Sequence, residues 1–496
     1  MSELRIISIC IGIALLLRWS ISYHPYSGYG KPPMYGDYEA QRHWQEITIN
    51  LPLDNWYKNS TNNDLQYWGL DYPPLTAYHS LIIGKIAGLI DNSYIELTKS
   101  RGIESDNHKN FMRLTVLFSD LIIYLPAVLL FFIDKLKYSS TNNSNDDNSI
   151  FNLSKFNSLL LTFLIYPGII IIDYGHFQYN CVSLGLFILS VKFIANNCYS
   201  IGSLFFVFAL NYKQMELYHA LPIFFYILGI CKKQKNLFNS LKILSSVGLT
   251  VLATFALIWS PFIYKWPSCI DVLIRLFPFG RGVFEDKVAN IWCAINVVVK
   301  LKNLFDHMQL AKICLAATVI TSLPSCLNIF LKPNKDNLIL SLINVSLSFY
   351  LFSFQVHEKS ILLVAIPVLL YFHNDPLACF WFLIVSVFSM LPLLIKDQLF
   401  IAYCSLMVFY FLSICTIWKN TLFNVKFISI ICNFHASILT MIILTISSVT
   451  LKPPKKYPDL FPLLISVYSC IHFCLFFLYF NCKQLENNKY CQDNIC

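Results

Sequence analysis

Long apolar runs alternate with short polar connections along most of this chain of 496 residues. About 20 apolar residues are needed for a helix to cross the hydrocarbon core of a bilayer, and fewer suffice for short or strongly packed helices. Counted in this way, the runs predict about fourteen transmembrane helices, beginning with one near residues 4–17. The pattern therefore predicts an all-α polytopic membrane protein.

Two polar stretches interrupt the apolar runs. Residues 19–111 contain many Asn, Asp, Tyr and Pro residues, and within them the piece from Leu75 to Leu89 is apolar but short. That piece predicts a helix lying at the membrane interface. A second mixed stretch covers residues 263–306. We therefore expect an N-terminal transmembrane module over 1–262 with a large first loop, the loop 263–306, and a C-terminal transmembrane module over 307–496.

The composition supports a membrane protein and excludes a nucleic-acid binder. Hydrophobic residues make up 56% of the chain and charged residues only 13%, which is too apolar for a soluble protein of this length. The formal net charge of +9 is distributed over short loops, and no basic run is long enough to bind nucleic acid.

The order of the runs also predicts which side of the membrane each loop occupies. With the N-terminus in the cytosol, the basic loops near 231–236, 332–335 and 419–426 fall on the cytosolic side. The two polar stretches then fall on the lumenal side, and fourteen crossings return the C-terminus to the cytosol. The glycosylation sequon at Asn59 should be lumenal, whereas those at Asn142 and Asn152 should be cytosolic.

The stretch from Tyr35 to Trp44 concentrates acid, base and hydrogen-bonding groups just after the first apolar run. Asp37 has two interpretations. It could cap a helix that starts at Tyr38, because Asp is a good N-cap residue and capping is the commoner role of a single Asp. It could also be a catalytic carboxylate held at the membrane surface, and the two roles do not exclude each other.

Further polar groups lie between apolar runs, and each has a functional and a structural interpretation. Asp71 could bind a sugar or form an Asx turn before two prolines. His176 and Gln178 lie in a polar turn and could bind a glycan or satisfy their neighbours.

The remaining candidates lie in the second half of the chain. Glu285 and Asp286 could orient hydroxyl groups or hold Arg281 in an ion pair. The turn His357-Glu358-Lys359 could bind an anion, although Lys359 could also extend to the interface as an ordinary cation at a helix end.

Taken together, these motifs resemble the dolichyl-phosphate-glucose-dependent glucosyltransferases of the endoplasmic reticulum. The likeness is closest to the branch that adds the first glucose to the nine-mannose lipid-linked oligosaccharide, and the branch that adds the second glucose is the alternative. The resemblance rests, in order along nearly the whole chain, on Gly36-Asp37-Tyr38-Glu39-Ala40-Gln41-Arg42-His43-Trp44, Trp68-Gly69-Leu70-Asp71-Tyr72-Pro73-Pro74, Ser100-Arg101-Gly102, His176-Phe177-Gln178-Tyr179-Asn180, Glu285-Asp286-Lys287 and His357-Glu358-Lys359-Ser360.

This resemblance implies a GT-C glycosyltransferase fold in the endoplasmic reticulum membrane with a lumenal active site. The implied donor is dolichyl-phosphate β-glucose, and the implied acceptor is the terminal mannose of a diphosphodolichol-linked Man9GlcNAc2 glycan, which receives an α-1,3-linked glucose with inversion. Asp37 would be the catalytic base. The residues expected to bind substrate are Arg42, His43, Asp71, His176, Gln178, Arg281, Glu285, Asp286, His357, Glu358 and Lys359.

We expect no metal and no other cofactor, because no residue spacing matches a metal site and cationic side chains could stabilise a lipid phosphate. A polytopic transporter is the alternative from another functional class, because polar residues within membrane segments often mark a substrate path. It would predict paired Gly- or Pro-broken helices in two similar halves, and no such pattern is evident.

Overall fold

A computed structural model of the protein describes residues 3–140, 156–277, 287–422 and 428–493. Within these ranges the regular structure is helical, and the only extended pairing is an isolated bridge between Ser60 and Asn63. The described residues fall into two compact units. The first comprises Met1–Glu216, Lys242–Phe279 and Lys396–Ala402, and the second comprises Leu217–Leu241, Gly280–Ile395 and Tyr403–Cys496. The predicted division near residues 262 and 306 stays a prediction.

The first unit begins with the helices α1 (Glu3–Ile21), α2 (Asp37–Asn50), α3 (Pro74–Ile90) and α4 (Asp106–Ser119). Its other helical segments include the π-helical Asp120–Tyr124 and Ile170–Phe177, and the helices Leu125–Ser140, Pro167–Ile169, Asn180–Ala195, Tyr199–Tyr212, most of Leu237–Tyr264, and Pro267–Leu276.

The second unit is built from helices of different lengths. They include Ala220–Lys233, Ile291–Val298, His307–Leu331, Lys335–Phe352, Ile361–Tyr371, Pro376–Ser389, most of Leu391–Lys396, most of Phe400–Ile417, Lys419–Leu422, Ile428–Thr450 and Leu460–Asp493.

The all-helical membrane class is confirmed, but the count of fourteen spans is not. Eight helices among the described residues are long and apolar enough to cross a bilayer. Among the four shorter apolar helices of the described residues, Asn180–Ala195, Tyr199–Tyr212 and Pro376–Ser389 correspond to runs that the sequence pattern counted as spans. The fourth, Pro74–Ile90, is the piece predicted to lie at the interface. A 14- to 16-residue helix is shorter than the roughly 20 residues of an ordinary span. The apolar stretch after Pro73 is a helix as predicted.

Helix α2 is polar in sequence and nevertheless buried. Eleven of its 14 residues are buried, including charged ones. One face carries Ala40, Trp44 and Ile47 into an apolar core that also contains Phe262. The Trp44 indole N–H donates to the carbonyl of Trp68 (2.9 Å), which ties the helix to the loop that follows it. Packing on all sides therefore fixes this helix, even though its sequence is not apolar.

The other face of α2 carries a closed network of charges. The guanidinium of Arg42 donates to both carboxylate oxygens of Glu39 (2.8 and 2.6 Å) and to Glu46 (2.7 Å). His43 contacts Glu46 at 3.1 Å, and the Tyr67 hydroxyl donates to Glu39 at 2.8 Å. The spacings of three and four residues place these groups on one helix face. Their burial is tolerated because each charge has an opposite partner.

The network also lowers the pKa of Glu46. Burial alone would raise the pKa of Glu46, but the hydrogen bond with His43 and the charge of Arg42 outweigh burial and lower that pKa to about 2. The ordinary value is 4.5. Glu46 therefore stabilises the folded state above about pH 4.5, and this contribution is lost as the pH falls through the folded value.

We predict that Arg42→Ala destabilises the protein by about 3–5 kcal/mol, because it leaves two buried carboxylates without their cation. The thermal unfolding midpoint of the purified protein should fall sharply. Lys99→Ala is the matched control, since Lys99 forms an ion pair with Glu96 in which both side chains are exposed (75% and 43%). Its effect should stay within about 0.5 kcal/mol. Equal effects of the two substitutions would contradict the structural role of Arg42.

A pH series tests Glu46 separately. The difference in unfolding midpoint between the native protein and Glu46→Gln should be constant above about pH 5 and should shrink as the pH falls from 4.5 towards 2. A difference that grows on acidification would contradict the assignment.

Candidate active site

The carboxylate of Asp37 lies at the start of α2 and is held by two donors. The Nε2 atom of His176 lies 3.0 Å from its Oδ2 atom, and Gln178 Nε2 donates to the same oxygen at 2.6 Å. The Asp37 side chain is 25% exposed, whereas that of His176 is 2% exposed. Helix α2 begins at Asp37 itself and Gly36 occupies the N-cap position, so the prediction that Asp37 caps the helix is wrong. Its carboxylate is oriented instead by groups from a distant segment.

A π-helical segment delivers His176 and Gln178 to Asp37. It covers Ile170–Phe177 and is entirely buried. Phe177 ends it with φ +87°, and Gln178 then turns into extended backbone. Short π-helical stretches occur often at functional sites, and a bulky residue at positive φ costs about 1–3 kcal/mol. This change of backbone conformation at Phe177 and Gln178 (the reversal) places the side chains of His176 and Gln178 on the same carboxylate oxygen.

Ser27 connects this reversal to the beginning of α2. Its backbone N–H donates to the carbonyl of His176 (3.1 Å), and its hydroxyl accepts from the N–H of Asp37 (3.4 Å). A Cβ atom on Gly36 would lie 2.6 Å from the Ser27 carbonyl carbon and oxygen, so only glycine permits this approach.

A polar network continues from Gln178 away from Asp37. The side-chain oxygen Oε1 of Gln178 accepts from the side-chain amide of Asn180 (3.1 Å) and from the ammonium of Lys213 (3.2 Å). Lys213 also donates to Asn180 at 2.5 Å, and its ammonium lies 5.3 Å from the centre of the Tyr72 ring. Asn180 in turn donates to the buried Asp173 at 2.7 Å. These contacts fix the amide of Gln178 so that its N–H faces Asp37, and they place a cation one side chain away.

On the opposite ring edge, His176 contacts a second carboxylate. Its Nδ1 atom lies 2.5 Å from Asp397 Oδ2, and the Asp397 side chain is 2% exposed. The two residues are 221 positions apart in the chain. Gln398, which follows Asp397, has φ +62°, and Tyr35, two residues before Asp37, has φ +60°. Backbone strain thus occurs close to Asp37, His176 and Asp397, the three residues joined through the His176 ring.

The structure places the other predicted site residues as follows. Arg42 and His43 are fully buried in the charge network of α2, which does not favour their predicted contact with substrate. Asp71 is partly buried, and its carbonyl accepts from Gln214, the neighbour of Lys213. Their roles in binding stay predictions.

The other six predicted substrate-binding residues lie in the second half of the chain. His357, Glu358 and Lys359 are partly buried in the second unit, at the start of Ile361–Tyr371. Arg281, Glu285 and Asp286 lie outside the described residues. The roles of these six stay predictions.

Sequence reasoning assigned no role to two of the residues found here. They are Lys213 and Asp397. Lys213 follows an apolar run in a compact polar cluster, Asn211-Tyr212-Lys213-Gln214, and that cluster was the available signal. Asp397 is a single acid between two apolar helices, and nothing in the local sequence links it to His176.

The arrangement around Asp37 is suited to proton transfer. Among the described residues, no three His, Cys, Asp or Glu side chains converge as metal ligands would. Asp37 and Asp397 contact opposite nitrogens of one ring, so they do not face a common point. A partly exposed carboxylate with fixed donors on one oxygen can accept a proton from a bound hydroxyl.

Residues 10–479 match the ALG6, ALG8 glycosyltransferase family. The chain belongs to this family. It is 48% identical over 476 residues to a protein of Drosophila melanogaster named probable dolichyl pyrophosphate Man9GlcNAc2 alpha-1,3-glucosyltransferase, covering 96% of this chain and 97% of that protein. It is 46% identical to the Rattus norvegicus protein of that function, covering 97% of each chain.

The likeness extends to distant eukaryotes. A Dictyostelium discoideum protein with the same probable function is 44% identical over 504 residues, covering 96% of this chain and 95% of that protein. Family members therefore match along nearly their whole length, including the segments that carry Asp37, His176 and Asp397.

We predict that Gly36→Ala abolishes most glycosyltransferase activity, because the added methyl group would push α2 away from Ser27 and displace Asp37. Turnover of the purified variant should fall at least about tenfold, since small misplacements of reacting groups are costly. Gly12→Ala is the matched control, because a Cβ at Gly12 meets nothing within 4 Å. Full activity of Gly36→Ala would show that the close contact does not position Asp37.

Proposed function

We propose that the protein transfers glucose from dolichyl-phosphate β-glucose to the terminal mannose of diphosphodolichol-linked Man9GlcNAc2 and forms an α-1,3 linkage. The acceptor and linkage are those in the names of relatives that match 95% or more of both chains. The single structural observation that supports this function is the Asp37 carboxylate, partly exposed and held by His176 and Gln178.

The proposed reaction is a single in-line displacement. A β-linked donor and an α-linked product require inversion, so the acceptor oxygen attacks the anomeric carbon opposite the phosphate. Asp37 takes the proton of the mannose hydroxyl as the new C–O bond forms, and the bond from the anomeric carbon to the phosphate oxygen breaks. His176 and Gln178 hold Asp37 in one orientation, which favours this step by positioning.

The departing dolichyl phosphate gains negative charge and needs a cation or hydrogen-bond donors. Lys213 is a cation of the first unit that contacts the Asp37 network through Gln178. We add it to the earlier candidates Arg281, His357 and Lys359. A single-negative lipid phosphate can be stabilised by such side chains, so the proposal includes no metal.

We further propose that the protein lies in the endoplasmic reticulum membrane with the Asp37 site in the lumen and both termini in the cytosol. Eight membrane-crossing candidates among the described residues support a multi-pass protein.

We predict that Asn59 is glycosylated in cells, whereas Asn142 and Asn152 are not. Sensitivity of the electrophoretic mobility to a glycosidase, lost in Asn59→Gln, is the measurement. A glycan on Asn142 or Asn152 would invert the topology.

The addition of the second glucose is the alternative that the resemblance leaves open. The relatives' names favour the first glucose. The two are separated by the acceptor: the protein should use Man9GlcNAc2 and should not use the monoglucosylated glycan. Transport remains the alternative from another class, and no observation of the structure favours it.

We predict that Asp37→Asn reduces glucose transfer at least about 100-fold while the protein still folds, because the amide retains the shape but cannot accept the proton. Transfer from dolichyl-phosphate-glucose to a Man9GlcNAc2 lipid acceptor by purified protein is the assay. Asp54→Asn is the control, since Asp54 is an exposed acid paired with Lys265 on the same unit. Near-normal transfer by Asp37→Asn would refute the assignment of the base.

A further inference from the structure

Asp397 does not contact Asp37 directly, but it contacts His176, which contacts Asp37. The order Asp397, His176, Asp37 joins two carboxylates through the two nitrogens of one imidazole, at 2.5 and 3.0 Å. We propose that Asp397 is a positioning residue that acts through His176 and fixes the proton of Nε2 towards Asp37. This inference rests on the proposed function, with Asp37 as the base.

The proton count of these groups supports the proposal. An ionised carboxylate can only accept hydrogen bonds, so each ring nitrogen facing one must carry a proton unless a carboxyl group carries it. A neutral imidazole holds one proton and has two tautomers. A neutral ring could therefore donate to only one of the two carboxylates, and its other nitrogen would turn a lone pair towards the second. The ring donates to Asp37 and Asp397 together when both nitrogens carry a proton, and the negative charge of Asp397 at Nδ1 favours this doubly protonated form, so Nε2 stays a donor to Asp37.

Burial makes the effect of Asp397 larger. The His176 and Asp397 side chains are both 2% exposed, so water cannot replace a lost partner at Nδ1. Asp37 is the only member of the three with substantial exposure, at 25%. The arrangement therefore has a buried end that holds charge and a partly exposed end that can meet a hydroxyl group.

The backbone supports a functional rather than a merely cohesive role. Phe177 and Gln398 both have positive φ and directly follow His176 and Asp397. Such conformations cluster where a side chain must be held in one place. In other enzymes, an acid that orients a histidine contributes strongly to turnover although it touches no substrate.

The experiment is a double-mutant cycle on the full-length protein, with kcat and KM measured for both substrates. We expect Asp397→Asn and His176→Ala each to lower kcat by about 10- to 100-fold, as substitutions of orienting partners commonly do. KM should change by less than about threefold. In the double variant, kcat should equal that of His176→Ala, because Asp397 has no route to Asp37 once the ring is removed.

Two further variants separate positioning from folding. Asp397→Glu keeps a carboxylate, so its kcat should lie above that of Asp397→Asn. This comparison still tests the role of Asp397 if Asp397→Asn is poorly folded. Asp375→Asn is the matched control, since Asp375 caps a helix of the second unit and should leave kcat unchanged.

The outcomes are distinct. Losses of kcat that multiply in the double variant, an unchanged kcat in Asp397→Asn, or no recovery in Asp397→Glu would each overturn the inference. A native protein that transfers no glucose would instead refute the proposed function. Loss of transfer in Asp37→Asn with full transfer in Asp397→Asn would leave the proposed function standing and refute the role of Asp397.

Discussion

The structure of the first unit depends on one constraint: the Asp37 carboxylate must receive its hydrogen bonds from a segment about 140 residues away. His176 and Gln178 lie 139 and 141 positions from it. Contacts of such separation are not formed by local preference, so the two backbones must be brought together by their own packing. Ser27 and Gly36 do this by direct backbone contact, and the π-helical Ile170–Phe177 provides the reversal.

The arrangement costs free energy that other contacts offset. A residue at positive φ such as Phe177 costs about 1–3 kcal/mol, and a hydrogen bond to a charged group contributes a similar amount of about 1.5–3 kcal/mol. Asp37 accepts two such bonds, at 3.0 and 2.6 Å, and the charge network around Arg42 holds α2 in place. Local strain is therefore balanced by interactions of comparable size, and hydrogen bonds fix the Asp37 carboxylate.

Much of this could be predicted from the sequence, for identifiable reasons. Apolar runs indicate membrane helices because lipid requires a continuous apolar surface, and Asp37, His176 and Gln178 are conspicuous because polar groups are rare in such a chain. The count of fourteen spans is not confirmed, because short helices such as the 14-residue Tyr199–Tyr212 are as apolar as full-length spans.

Other features could not be predicted because they depend on partners that only the fold brings near. Arg42 lies in a polar stretch of the sequence, and its burial between Glu39 and Glu46 was not predicted. Asp397 is 221 residues from its partner His176 and has no local motif. Spacing along one helix would have indicated the first case, since the acids lie three and four residues from Arg42, whereas no local pattern indicates the second.

The central claim is that Asp37 faces the anomeric carbon on the side opposite the leaving phosphate. The most direct measurement is a structure of the protein with a non-transferable dolichyl-phosphate-glucose analogue and the Man9GlcNAc2 lipid acceptor bound together. We expect the acceptor mannose hydroxyl within hydrogen-bond distance of the Asp37 carboxylate and in line with the bond from the anomeric carbon to the phosphate. A glucose bound away from Asp37, or with its phosphate on the Asp37 side, would contradict the account.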